Sequence, residues 1–284
     1  MASLSTRAAL AGLRLLPTHA LSRAVGWLAS RRLPSPLREP AVRAFGRAVG
    51  VEFSEVRDAL ASFESLQAFF TRALRDGVRP IDADPHAIVS PCDGAWGAAG
   101  VITAGQALQV KGRLYALAAL LGDAAAARRY EGGAFATLYL SPRDYHRFHA
   151  PCAARVRRAV AIPGALWPVN RLGVEGIADL FAVNERLCAF LAVAGADEDL
   201  CLVAVGATNV GKIRVTFDDL TTNVAAVAPE VRTYRDVALT KGQEWGRFEF
   251  GSTIVLVAAP SLLTLDVQPP GTPVRLGQRI GTLR

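Results

Sequence analysis

The sequence predicts an α+β protein, with a β-rich core of short strands, sandwich- or barrel-like, behind a helical N-terminal segment. Three observations predict it. Beyond residue 80 the apolar residues come in short runs, some of them alternating, separated by glycine and proline. Before residue 80 they recur at helical spacing in three segments. Residues 1–50 hold eight arginines against one glutamate, so the whole net charge of +7 lies there and residues 51–284 balance. A neutral body argues against nucleic acid as a partner, which needs a basic stripe on the fold itself. A basic appendage suits an anionic surface such as a membrane.

The first predicted helix follows Pro17 and Thr18, with Leu21, Val25 and Leu28 on one face, Trp27 beside them and Arg23 and Arg31 flanking. The second follows Pro40, with Val42, Phe45 and Val49 set against Arg43 and Arg47. Both are arginine-rich, carry an aromatic residue and hold almost no acid, which is the composition of a helix lying in a membrane interface. An ordinary helical pair packed on the core would have the same apolar spacing. The third runs from Ser62 through Phe63, Leu66, Phe70 and Leu74, and Gly77 with Pro80 stops it. Residues 1–80 therefore read as a basic, amphipathic, membrane-associating region and residues 81–284 as the β-rich domain.

In that domain Lys212–Phe217 alternates cleanly, and Phe135–Leu140, Cys201–Ala207, Thr253–Ala258 and Leu262–Val267 are short apolar runs that read as strands. Gly176–Leu187 reads as a helix, with Ile177, Leu180 and Phe181 on one face. The longest uncharged runs, Gly94–Val110 and Phe250–Leu265, fall short of the roughly 20 apolar residues a spanning helix needs. Arg14 interrupts the apolar run near the start, which fits a signal peptide poorly. Cys92, Cys152, Cys188 and Cys201 show no C-x-x-C spacing and read as buried thiols in a reducing compartment.

The chain has four histidines. His19 falls in the basic appendage and His86 in a polar loop. His146 and His149 lie three apart in Ser141-Pro-Arg-Asp-Tyr-His-Arg-Phe-His-Ala-Pro-Cys152. No further ligand sits at recognisable spacing, so no metal site is expected. Asp93 lies in the turn-like Ser90-Pro-Cys-Asp-Gly94, and Gly251-Ser252-Thr253 opens an apolar strand. Singly, each is an ordinary turn. Together they supply an aspartate, a histidine and a serine, the parts of an activated-serine constellation.

The wording of these segments is more specific than the parts. The chain resembles the phosphatidylserine decarboxylases, the pyruvoyl-dependent enzymes of bacterial and mitochondrial membranes. The matching stretches are the two segments around Asp93 and the histidines, Asp179-Leu-Phe-Ala-Val-Asn-Glu-Arg186, Val205-Gly-Ala-Thr-Asn-Val-Gly211 and Lys241-Gly-Gln-Glu-Trp-Gly-Arg-Phe-Glu-Phe-Gly-Ser-Thr253. They run in family order across roughly residues 60–284. Phe250 stands where the family usually has leucine, and Trp245 where it often has methionine; both changes are apolar.

The resemblance implies a chemistry. Decarboxylating an amino acid needs an electron sink that no side chain provides. Pyridoxal phosphate would need a Schiff-base lysine, and Lys111, Lys212 and Lys241 lie in no recognisable phosphate-binding context. The family makes its own carbonyl. By resemblance, the Ser252 hydroxyl attacks the Gly251 carbonyl and the peptide becomes an ester. Loss of the Ser252 Cα proton then eliminates the ester, and the dehydroalanine hydrolyses to a pyruvoyl group and ammonia. This leaves a β chain, residues 1–251, and an α chain, residues 252–284. His149 matches the base of a self-cleavage triad with Asp93 and Ser252, with Asp93 orienting the imidazole. His146 matches the histidine that protonates the carbanion after carbon dioxide leaves. The expected substrate is phosphatidylserine, bound through a Schiff base at Ser252, and the product phosphatidylethanolamine. The expected place is the cytoplasmic face of the cell membrane, held peripherally, and a homodimer is implied. A serine hydrolase, a pyruvoyl decarboxylase of soluble amino acids and a non-catalytic membrane-binding homologue are the alternatives.

Overall fold

The computed structural model describes residues 18–110, 113–169, 171–193, 199–208, 212–223, 227–249 and 253–284. Helices α1 (Thr18–Ala29) and α2 (Ser35–Val49) come first. The α2 helix begins upstream of Pro40, which it contains, and ends at Gly50 in the left-handed conformation, φ 84°. Its two faces differ. Val42 and Gly46 are buried, and Val42 joins Val51, Val56, Phe63 and Phe69 in a small core of its own. The second basic segment therefore packs one side against protein, while Trp27 and Leu28 on α1 stand 58% and 68% exposed. The expected third helix is cut down to α3 (Leu66–Phe70), capped by the Ser65 hydroxyl accepting from the Ala68 N–H at 3.1 Å. Ahead of it the chain makes a 3₁₀ turn at Leu60–Ser62 and extends through Phe63; of the expected stripe Phe63 and Phe70 are buried and Leu66 and Leu74 half-buried, and Phe69, outside that stripe, is buried as well.

The strands follow in chain order: β1 (Ala87–Val89), β2 (Gly94–Val101), β3 (Gln106–Val110), β4 (Arg113–Ala116), β5 (Ala134–Tyr139), β6 (Arg147–His149), β7 (Ala154–Ile162), β8 (Arg186–Ala192) and β9 (Leu200–Val205). Then come β10 (Lys212–Val215), β11 (Glu230–Thr233), β12 (Ala238–Leu239), β13 (Glu244–Glu249), β14 (Thr253–Ala258), β15 (Leu263–Leu265), β16 (Pro273–Val274) and β17 (Arg279–Leu283). The main sheet runs β11-β7-β8-β9-β14-β5-β2-β16, with β12 also on β7. Its pairings are antiparallel.

Both faces of this sheet are covered, and the alternation of β14 shows how. Ile254, Leu256 and Ala258 enter one core with Ile213, Trp245, Phe248 and Ile280 of two smaller sheets, β10-β13-β6 and β1-β17-β15. Val255 and Val257 enter the other, against helices α4 (Leu117–Leu121), α5 (Ala124–Arg129) and α7 (Leu180–Val183). A strand buried on both sides reads as a continuous apolar run, as Thr253–Ala258 does. The fold is thus the expected β-rich α+β sandwich, with helices on one face. No helix among the described residues is long and apolar enough to cross a membrane.

The expected helix over Gly176–Leu187 does not form. Instead α6 (Arg171–Gly176) and α7 flank Asp179, which adopts a left-handed φ of 53°, and the chain is extended from Asn184 into β8. The Asn184 side chain explains the break. Its amide bonds the Trp167 N–H and carbonyl and the Gly206 carbonyl, tying three segments together in place of another helical turn.

Candidate active site

The site lies where one end of the main sheet gathers three distant segments. Ala95 on β2, Tyr139 on β5 and Thr253 on β14 pair in a row, with Val205 on the far side of Thr253. Asp93 comes just before Ala95, and the histidine segment just after Tyr139. The loop carrying Asp93 also lies along β6: the His149 N–H donates to the Pro91 carbonyl at 2.7 Å, and the Val89 N–H to the Pro151 carbonyl at 2.9 Å. Glycine at position 94 is required by this approach. Its φ is 152°, and a Cβ there would sit 2.2 Å from the Tyr139 carbonyl oxygen. Gly251 and Ser252 lie outside the described residues. Thr253, next in sequence, is buried, and its hydroxyl has no hydrogen-bond partner among the described residues.

His149 is placed by the Lys241-Gly-Gln-Glu segment. Gly242, at φ 78°, turns its carbonyl toward the ring, and Nδ1 lies 2.8 Å from that oxygen. The turn is fixed by Gln243, whose side-chain oxygen accepts from the Thr240 N–H at 2.9 Å. A carbonyl only accepts, so Nδ1 carries the proton and the neutral ring presents its lone pair at Nε2. The Tyr145 hydroxyl sits 3.3 Å from Nε2 and donates to it. Burial pulls the His149 pKa below its ordinary 6.5, outweighing the Gly242 hydrogen bond and the charges of Glu244 and Asp93, which pull it up. Burial also pushes Tyr145 up to about 12.

His146 is 1% exposed. Its Nδ1 donates to the Asp144 carbonyl at 2.8 Å, its ring lies 4.0 Å from that of Phe70, and its own carbonyl accepts from Phe248 at 2.9 Å. Its ring proton therefore sits on Nδ1, as in His149. Among the described residues no three His, Cys, Asp or Glu side chains are grouped to hold a metal ion.

Asp93 departs from the expected arrangement. Its carboxylate makes no hydrogen bond to His149. It takes a forked pair from Arg79, Nε to Oδ1 at 2.9 Å and Nη2 to Oδ2 at 2.7 Å, and a third bond from the Leu276 N–H at 2.8 Å. The imidazole is oriented by the Gly242 carbonyl instead. Arg79 also forks onto Glu55, at 3.0 and 2.7 Å. Burial disfavours the Arg79 charge, but its bonds to Asp93 and Glu55 outweigh that and raise its pKa, while the bond from Arg79 holds Glu55 low. Asp93 is thus held in place, near enough for its charge to favour the imidazolium of His149.

Sequence reasoning had not singled out Arg79, Glu55 or Tyr145. Tyr145 lay within the histidine motif, four residues from the ring it touches. Arg79 and Glu55 carried no signal, because only the fold brings them to Asp93.

Comparisons with known proteins identify the family. A family profile described as phosphatidylserine decarboxylase matches residues 66–282. A protein of Anaeromyxobacter sp. (strain K) is 44% identical over 283 residues, covering 98% of this chain and 99% of its own. One from Myxococcus xanthus is 41% identical over 274 residues, covering 95% and 96%, and one from Azotobacter vinelandii is 41% identical over 280 residues, covering 96% of each. All three are named phosphatidylserine decarboxylase proenzyme. With near full-length similarity and a family match over most of its length, the chain belongs to the phosphatidylserine decarboxylase family of lyases.

Proposed function

We propose that the chain cleaves itself between Gly251 and Ser252 and then converts phosphatidylserine to phosphatidylethanolamine and carbon dioxide, using a pyruvoyl group derived from Ser252. One observation carries the reading: a buried neutral histidine, a fixed carboxylate and the start of β14 meet at one end of the sheet, in a chain whose relatives are named proenzymes.

His149 takes the Ser252 hydroxyl proton at Nε2, the nitrogen the Gly242 bond leaves with a lone pair. Asp93 favours the imidazolium that results, through its charge rather than a shared proton. Glycine at 251 carries no Cβ to obstruct the attack. A carbonyl at position 252 also suits Thr253, whose buried hydroxyl lacks a partner among the described residues and is a donor of the kind a carbonyl accepts. A pyruvoyl group supplies the electron sink that the twenty side chains lack. His146, whose Nδ1 proton is held on the Asp144 carbonyl, takes up at Nε2 the solvent proton that each decarboxylation consumes and delivers it to the carbon that carbon dioxide leaves.

The two histidines separate by experiment. Protonation at Nε2 removes the base, so cleavage slows as pH falls. Because burial holds the His149 pKa below 6.5, half the rate is lost only below that pH. Following the appearance of two chains from freshly made precursor between about pH 5 and 8 checks this. A rate indifferent to pH there, together with normal processing of His149→Ala, would remove His149 as base. His146→Ala is expected to cleave fully and to lose about 10²–10⁴-fold in decarboxylation. Full activity would reassign the proton donor.

We also place the protein on the anionic, cytoplasmic face of the cell membrane, with α1 as the contact. Its exposed Trp27 and Leu28, with the Arg31 guanidinium 3.7 Å over the Trp27 ring, present apolar area beside positive charge. Burying two such side chains contributes roughly 1.5–3 kcal/mol each. The double variant Trp27→Glu, Leu28→Glu is therefore expected to bind phosphatidylserine-containing vesicles at least about tenfold more weakly in flotation, with self-cleavage intact. Unchanged flotation would contradict the contact.

A further inference from the structure

Beside the site lies a cavity of about 350 Å³ lined by Arg72, Arg79, Asp93, Asp144, Tyr145 and Arg275, among others. Its guanidiniums are not alike. Arg79 is saturated by two carboxylates, and Arg275 reaches Glu55 at 3.4 Å. Arg72 is 4% exposed, and among the described residues it makes no ion pair. Its Nη2 donates to the Arg143 and Asp144 carbonyls at 2.8 and 3.0 Å, while Nε and Nη1 are buried with no hydrogen-bond partner among the described residues. Asp93, Asp144 and Glu55 act on it only at longer range, and burial pulls its pKa down to about 10, so it stays charged at neutral pH. A buried cation with unmet donors on a cavity wall is a strong site for an oxyanion.

Its position says which one. The Asp144 carbonyl accepts from both Arg72 Nη2 and His146 Nδ1, so the guanidinium and the decarboxylation histidine share one anchor. The lipid substrate carries two anions, a carboxylate and a phosphodiester, and the phosphorus is joined to the serine through its side-chain oxygen. A guanidinium on the carboxylate would stabilise the charge that must be dispersed as carbon dioxide leaves, favouring the ground state over the transition state. On the phosphodiester it positions the reacting carbon and leaves the carboxylate unheld. We propose that the Arg72 guanidinium, on the wall of this cavity, binds the phosphodiester of the lipid substrate. This rests on the reading that the chain decarboxylates phosphatidylserine.

The test uses matured wild-type enzyme and the Arg72→Gln and Arg72→Lys variants, with two water-soluble inhibitors of phosphatidylserine turnover. Glycerophosphoethanolamine has the phosphodiester and no carboxylate; L-serine has the carboxylate and no phosphodiester. For Arg72→Gln, the inhibition constant of the first is expected to rise about tenfold to a hundredfold, as for loss of a charge-assisted contact, and that of L-serine less than twofold. Arg72→Lys is expected to fall between. A rise for L-serine alone would put the carboxylate on Arg72 and overturn the proposal, as would no change for either inhibitor. Failure of both variants to form two chains would assign Arg72 to maturation and overturn it too. Failure of the wild type to decarboxylate phosphatidylserine is a separate result, which removes the parent reading instead.

Discussion

Ser252→Ala is expected to leave a single chain of 30.1 kDa with no decarboxylase activity. The effect is total because two functions sit on one oxygen. The hydroxyl is the nucleophile that turns the Gly251–Ser252 peptide into an ester, and its departure with the Gly251 carboxylate leaves the dehydroalanine that water converts to the carbonyl and ammonia. No neighbour replaces it: Thr253 has a hydroxyl, but it opens the central strand β14, paired on both sides with Tyr139 and Val205. The serine-hydrolase alternative predicts the opposite pattern, an intact wild type whose serine reacts with a fluorophosphonate. Gel analysis of wild type and variant side by side separates the two. Two chains from Ser252→Ala would remove the assignment of the cleavage site.

Arg79→Ala is expected to be the most damaging change outside the reacting residues. Arg79 bridges Asp93 and Glu55, and the side chains of the three are 9%, 7% and 20% exposed. Removing one partner of a buried ion pair leaves uncompensated charge and costs about 3–5 kcal/mol. For a protein of this size, that is a fall in melting temperature on the order of 10 °C. Arg79→Lys keeps the charge but cannot fork onto both carboxylates, and is expected to recover only part. Arg57→Ala is the control. Its side chain, paired with Asp58, is 57% exposed, and such surface pairs contribute little to stability. Cleavage should slow in Arg79→Ala as well, because Asp93 loses the fork that fixes its charge near His149. A melting temperature and processing rate equal to wild type would show that the bridge supports neither fold nor site.

How much of this was legible in the sequence depended on the range of the interaction. Strand β14 was readable because burial on both faces leaves an apolar run without polar interruption, and β10 because Ile213 and Val215 alternate with exposed-side neighbours. Strand β7 was missed because Arg155, Arg157 and Arg158 make it look like a polar loop. In the fold, Arg158 lies 3.7 Å over the Phe190 ring and pairs with Asp123 at 3.0 Å, so its stem is accommodated on the sheet. The false helix at 176–187 had helical spacing, but the tertiary bonds of Asn184 overrode it. At the site, physics alone offered three turn-like segments. Their wording, through the family resemblance, brought Asp93, His146, His149 and Ser252 together. From that pattern Asp93 was expected to orient the His149 imidazole; in the fold the Gly242 carbonyl bonds the ring at Nδ1 and the Arg79 fork holds Asp93. Arg72 could not be read at all, since its unmet donors and its cavity exist only once residues 143 and 144 fold over it.

The mass of the purified wild-type protein under denaturing, reducing conditions tests the central claim most directly. The account predicts two chains, the smaller with the mass of residues 252–284 less one ammonia, as a pyruvoyl group in place of an N-terminal serine requires. A single chain of 30.1 kDa that nevertheless decarboxylates phosphatidylserine, or a small chain that keeps the full mass of an N-terminal serine in active enzyme, would contradict it.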